Sequence, residues 1–251
     1  MRPMRLLLFL SLLTGLMGLL GASSSGRGAL EATPALAAPP AAPVAQDSQP
    51  IDLPGRVTEA LNLRSEPRVA PDTLLRTLSP NDPVWVYEAV TSNDGDTWYR
   101  VGDDQYVHAA EVRLPRTPPE YHSGRWIDAD LQEPALLTAY EDDRAVYSAL
   151  TLFGRAATET AKGEHQILRR VEDETMDSAT LGIPRDSPKG YYLEHVLYTQ
   201  YFTNDGAAIH YNYWSNNFGH PGTHGCLGLN LDDAKWFWDW ASIGTVVDIH
   251  G

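Results

Sequence analysis

AAIHYNYWSNNFGHPGTHGCLGLNL, residues Ala207 to Leu231, begins as a strand, breaks into a loop rich in Gly, Asn and Pro, and runs into a helix start. The loop holds Cys226, the single cysteine of the 251-residue chain. With no second cysteine there is no internal disulfide, so the thiol is either a small buried hydrophobe or a reactive group. Its neighbours favour reactivity. Gly225 and Gly222 let a substrate carbonyl approach main-chain N–H donors. The helix that starts a few residues later turns its positive end toward a thiolate. An unperturbed thiol, with a pKa near ~8.5, is only slightly ionised at neutral pH and needs a base or cation beside it. His210, at the end of the strand, and His224, two residues before the cysteine, are the candidates, which points to a Cys–His nucleophile.

Outward from this stretch, Asn230 reads as the N-cap of a helix, with Asp233 three residues on. Ala234, Phe237, Trp238 and Ala241 share one face of that helix and are expected to pack on a sheet. Upstream, alternation predicts strands at 125–131, 136–140, 144–153, 165–171, 192–202 and 207–214, with a last one at 245–250. Glu141-Asp142-Asp143 and Asn204-Asp205-Gly206 supply turns. The fold expected at 123–251 is mostly β with one prominent helix. Pro115, Pro118 and Pro119 mark its upstream boundary. Before them, residues 54–115 read as short strands broken by turns such as Ser92-Asn93-Asp94-Gly95-Asp96, suggesting a small barrel.

Residues 1–22 read as a signal peptide or signal-anchor: Arg2 and Arg5 precede a short apolar run and a small-residue exit. Export is expected, with membrane attachment only if that leader is uncleaved. Residues 23–53, rich in Ala, Pro and Ser, are expected to be a disordered linker. The chain carries 33 acidic against 19 basic residues, which argues against a nucleic-acid partner. His210, His220 and His224 do not make a metal site on this reading. Gly219, Pro221 and Gly222 forbid the helix that would bring the last two together. No cofactor is called for.

Two resemblances follow from these residues. Leu61-Asn62-Leu63-Arg64-Ser65-Glu66-Pro67, Trp98-Tyr99-Arg100-Val101 and Tyr106-Val107-His108 resemble a bacterial SH3-like domain, which implies cell-wall binding or a spacer. Ile209-His210, a gap, then Thr223-His224-Gly225-Cys226 and Leu229 resemble the signature of L,D-transpeptidases of the YkuD type. That resemblance implies an exported enzyme acting on peptidoglycan stem peptides. Its cysteine takes an acyl group from a tetrapeptide, releases D-Ala, and passes the acyl group to an amine as a 3→3 cross-link, with L,D-carboxypeptidase side activity when water accepts it. It assigns Cys226 as nucleophile, His210 as base and acid, and His224 as a further catalytic residue. Thr223, Gly225 and Leu227 are assigned to the oxyanion and motif positions. Tyr211, Tyr213, Trp214 and Phe218 are candidate walls of the substrate pocket. The family often carries Arg or Asn where this chain has Gly228, and a small residue where it has Tyr211. Its Thr-Pro-x-Gly word stands here as Thr160-Ala161-Lys162-Gly163. These departures keep a second reading open: a weakened or inactive cell-wall-binding protein that retains the fold.

Overall fold

In the computed structural model, which describes residues 48–251, the first strand β1 (Ser48–Val57) begins earlier than composition suggests. The leader and residues 23–47 of the linker lie outside the described residues. Residues 48–53 are therefore strand, not linker. Ile51 packs on the core of the first sheet, while Leu53 packs beside Trp126 and Tyr140 of the C-terminal half. A bulge between Pro50 and Leu53, with Asp52 at φ 59°, interrupts the alternation and hides this strand from a periodicity search.

Six further strands complete the N-terminal sheet: β2 (Leu61–Arg64), β3 (Leu74–Leu78), β4 (Pro83–Thr91), β5 (Thr97–Gly102), β6 (Gln105–His108) and β7 (Val112–Arg113). All pair antiparallel, in the order β3-β2-β6-β5-β4-β1-β7, over a core of Val57, Leu63, Leu78, Val86 and Val107. No ladder among the described residues joins β3 to β7. The segment expected to close as a barrel is therefore described as a sheet.

The C-terminal half has β8 (Arg125–Asp130), β9 (Leu136–Glu141), β10 (Arg144–Leu150), β11 (Phe153–Gly154), β12 (Gly163–Gln166), β13 (Arg169–Asp177), β14 (Tyr192–Tyr201), β15 (Ala208–Tyr211), β16 (Pro221–Thr223), β17 (Leu227–Leu229) and β18 (Val246–His250), with helix α1 (Leu231–Trp240) before the last. A five-stranded sheet runs β10-β9-β8-β18-β12, a four-stranded one β13-β14-β15-β17, and β11 pairs with β16. The fold is mostly β with one α-helix among the described residues. Asn230 caps α1, its side chain accepting from the Asp233 N–H at 2.8 Å. Ala234, Phe237 and Ala241 are buried against Ile127, Ile209 and Leu227. Trp238 lies at the margin instead, under the Arg170 guanidinium.

Two expected strands are each split. Residues 165–171 divide because the Ile167 N–H bonds to Thr245 while the Leu168 N–H bonds to Tyr201, so the chain changes sheets there. Residues 144–153 break at Thr151-Leu152, where Leu152 exchanges two backbone bonds with Gly228. No helix among the described residues is long and apolar enough to cross a membrane.

Candidate active site

Strands β15 and β17 run parallel, with Ile209 opposite Leu227 and His210 opposite Gly228. Alternation sends Ile209, Leu227 and Leu229 into the core. The opposite face carries His210, with Cys226 at the N-terminal end of β17. That register, set by apolar burial on one side, brings ring and sulfur to the same side. Both line a cavity of about 410 Å3 together with Trp214, Tyr191, Arg155 and His224.

His210 is 2% exposed. Its Nδ1 lies 2.8 Å from the Tyr211 carbonyl oxygen, which can only accept. The ring proton therefore sits on Nδ1, and Nε2 carries the lone pair. Burial pushes the His210 pKa down to about 4, partly opposed by that backbone bond. Burial likewise pushes the Cys226 thiol up to about 11. The resting pair is therefore a thiol and a neutral imidazole. The thiol's hydrogen bond among the described residues runs to the Gly206 carbonyl at 3.9 Å, not to His210. Trp214 covers the imidazole, its ring centroid 5.7 Å away at 30°.

The loop before Cys226 is closed by Thr223. Its Oγ1 donates to the Cys226 carbonyl at 2.7 Å and accepts from the Gly225 N–H at 3.2 Å. Gly225 has φ +116°, a conformation that side chains resist. A Cβ there would find space, its nearest neighbour being the Glu159 carbonyl at 3.5 Å, so the obstacle is conformational. Gly225→Ala should cost about 1–3 kcal/mol of stability. It should also slow acylation of Cys226 at least about tenfold by misplacing the neighbouring N–H donors. Denaturant titration and single-turnover assays check both; equal rates would show that this turn does not set the site.

His224 lines the same cavity and meets Arg155. Its Nε2 lies 3.1 Å from Nη2 of Arg155, and because guanidinium only donates, this nitrogen accepts. Burial lowers the His224 pKa, and Arg155 and Lys189 lower it further. Of the four aromatic residues expected as pocket walls, Trp214 lines the cavity. Tyr211 instead packs on the core below, Tyr213 donates its hydroxyl to the Glu194 carbonyl at 3.0 Å, and Phe218 is outside the lining. The walls come from further away in sequence, including Met176, Tyr191 and Leu193 of the β13–β14 hairpin. His220 turns to Glu133 at 2.6 Å.

Gly228 has a local explanation. A Cβ at this position would lie 3.1 Å from Nδ2 of Asn212 and 3.3 Å from Cβ of Leu152. The space a side chain would fill is already occupied from the adjoining strand, so the departure at 228 leaves no hole beside the histidine.

The L,D-transpeptidase catalytic domain (YkuD) matches residues 124–249. L,D-transpeptidase 2 of Mycobacterium tuberculosis (strain CDC 1551 / Oshkosh) is 34% identical over 116 residues, covering 45% of this chain and 28% of its own length. L,D-transpeptidase 1 of Mycobacterium tuberculosis (strain ATCC 25618 / H37Rv) is 32% identical over 100 residues, covering 39% of each chain. The chain thus spans well under half the length of these curated relatives. Among solved structures, the L,D-transpeptidase LdtMt1 in complex with imipenem aligns with a TM-score of 0.48 at 18% identity, covering 81% of this chain and 97% of that one. An L,D-transpeptidase from Mycobacterium smegmatis aligns with a TM-score of 0.47 at 21% identity, covering 82% and 97%. With half of its length matched by the family, signature residues included, the chain belongs to the L,D-transpeptidase catalytic-domain (YkuD) family.

Proposed function

We propose that this protein is an exported peptidoglycan L,D-transpeptidase with Cys226 as nucleophile and His210 as general base and acid. The observation that carries the reading is the His210 imidazole, buried and held by the Tyr211 carbonyl so that Nε2 is unprotonated, in the cavity that Cys226 lines. In this mechanism the sulfur bonds to the carbonyl carbon between the third stem residue and D-Ala as Nε2 takes the thiol proton. The C–N bond then breaks, its electron pair stays on the D-Ala nitrogen, and His210 returns the proton to that nitrogen. A thioester remains. An amine of a second stem attacks it, loses its proton to His210, and the thiol is restored with a 3→3 link formed.

The Gly225 N–H, held by Thr223 at 3.2 Å, is near the long limit for such a bond. It can turn to the oxyanion that develops next to Cys226, and the Cys226 and Leu227 N–H groups complete the donor set in this reading. His224 acts through Arg155 rather than on the proton. The N-terminal sheet serves as the SH3-like module and joins wall binding to catalysis. The test is the purified chain with a stem tetrapeptide, products and intact protein read by mass spectrometry. Release of D-Ala with an acyl adduct on Cys226 is expected. Binding without release or adduct would return the protein to the class of wall-binding proteins that retain the fold.

A further inference from the structure

The cavity has a feature that proton transfer does not use. Arg155 lies on its wall, anchored by Nε on the Thr223 carbonyl at 3.4 Å and by Nη2 on Nε2 of His224 at 3.1 Å. Among the described residues it has no carboxylate partner, although the chain carries a formal charge of −14. Nearby surface arginines are paired: Arg185 with Asp177, Arg169 with Glu174. Lys189, which helps lower the His224 pKa, is likewise without an acidic partner among the described residues. It sits two residues before Tyr191, whose ring lies 5.6 Å from that of His224.

Two acidic residues, Glu159 and Asp205, also line the cavity. Neither pairs with Arg155 among the described residues. Asp205 acts on Cys226, in the part of the cavity where Gly206 holds the sulfur. Arg155 is held beside His224, while Asp205 adjoins Gly206, whose carbonyl faces the sulfur. An unpaired guanidinium facing a cavity, with its unused N–H groups in a planar fork, suits a carboxylate better than any neutral group. The contacts to Thr223 and His224 hold it in place before a ligand arrives.

We infer that Arg155 is a specificity-determining residue that holds the free carboxylate of the residue leaving the donor peptide. The inference rests on the transpeptidase reading, in which that residue departs from the carbonyl Cys226 attacks. A donor that ends in a carboxylate is selected over one that ends in an amide or continues as a longer chain. Through its contact with Arg155, the motif histidine His224 presents the guanidinium to the cavity.

The experiment compares two donors on the full chain, a stem tetrapeptide with a free C-terminus and the same peptide as its C-terminal amide. The ratio of their kcat/KM values for Cys226 acylation is read by intact mass. Wild type is expected to favour the free acid by about 10- to 100-fold, the range for one charge-assisted contact. Arg155→Gln should bring the ratio close to one, and Arg155→Lys should keep an intermediate preference as a point charge without the fork. Arg155 is exposed on the cavity wall, so neither substitution removes packing from a core. A wild-type ratio near one, or a ratio unchanged in Arg155→Gln, overturns the inference while leaving the enzyme reading intact. Failure of both donors to acylate wild type overturns the enzyme reading itself.

Discussion

Acylation of Cys226 should fall by about 10²- to 10⁴-fold when His210 is replaced by alanine, and the pH dependence of the remaining rate should change shape. In the wild type, burial holds the imidazole down near 4 and the thiol up near 11. Between those values both groups are neutral, and proton transfer accompanies attack. The wild-type rate should therefore be nearly flat from about pH 5 to pH 9 and fall as the imidazole protonates near pH 4. Without the imidazole only pre-formed thiolate reacts, so the variant's rate should climb about tenfold per pH unit toward the thiol's own ionisation. D-Ala release from stem tetrapeptide measures both profiles, with Cys226→Ala as the baseline. A wild-type profile that itself climbs tenfold per unit through neutrality would mean that a free thiolate attacks unaided. The same burial has a stability consequence with a fixed sign. The unfolded imidazole binds its proton near ~6.5 and the folded one only near 4, so stability falls as pH drops through that interval.

The second large effect lies away from the cavity. Arg56 of β1 and Asp233 in the first turn of α1 form an ion pair of 2.7 Å, with 2% and 1% of their side chains exposed. Asp233 also accepts from the Tyr147 hydroxyl at 2.7 Å and the Asn81 amide at 3.0 Å. Arg56 in turn donates to the Ser148 and Asn81 carbonyls. This cluster ties the N-terminal sheet to the helix that follows the Cys226 strand. The Asp233 pKa is raised despite its partners, because desolvation outweighs the attraction of Arg56. The charged carboxylate therefore costs stability where it is buried, and costs more once its cation is removed. Arg56→Ala leaves a buried carboxylate without its cation and should cost about 3–5 kcal/mol. That is a large part of the ~5–15 kcal/mol that holds a typical domain together. Denaturant unfolding should show one transition in the wild type and an earlier one, for the N-terminal sheet, in the variant. Arg56→Met combined with Asp233→Asn should recover part of the loss, since no charge then remains buried. A loss below about 1 kcal/mol in Arg56→Ala would show that solvent reaches the pair and that the two halves are not coupled through it.

The cluster also bears on the N-terminal sheet. Read as a wall-binding module or a passive spacer, it would need few buried contacts with its neighbour. Arg56, Asn81 and Pro54 instead make hydrogen bonds across to Ser148, Leu150 and Asp233. This sheet is part of the support for α1.

Helix α1 was legible because its signals are local: the Asn230 cap, Asp233 three residues on, and an apolar stripe at helical spacing. Cys226, His210 and the glycine at 225 were legible for a similar reason, since the chemistry and the left-handed turn demand particular residue types. Strand β13 was not. Its sequence, RRVEDETMD, is largely charged and none of its residues is fully buried, so beyond Val171 it shows no period-two pattern even though it forms one arm of the hairpin that walls the cavity. Arg155 and Tyr191 left no mark either, because an arginine after a short strand and a tyrosine in a turn are ordinary surface residues until something folds against them.

By itself, the order of residues determined the secondary elements that bury one face, the turn at Gly225, and the presence of a thiol with an imidazole to serve it, because short-range sterics and periodic burial decide each of these. Only the tertiary structure decided which nitrogen of His210 is unprotonated, that His224 belongs to Arg155, that Trp214 rather than Tyr211 covers the base, and that Arg56 closes on Asp233. The His224–Arg155 and Arg56–Asp233 contacts join residues 69 and 177 positions apart, and those at His210, though close in sequence, depend on the burial and ring orientation that packing imposes, so neither kind leaves a periodic pattern in the chain.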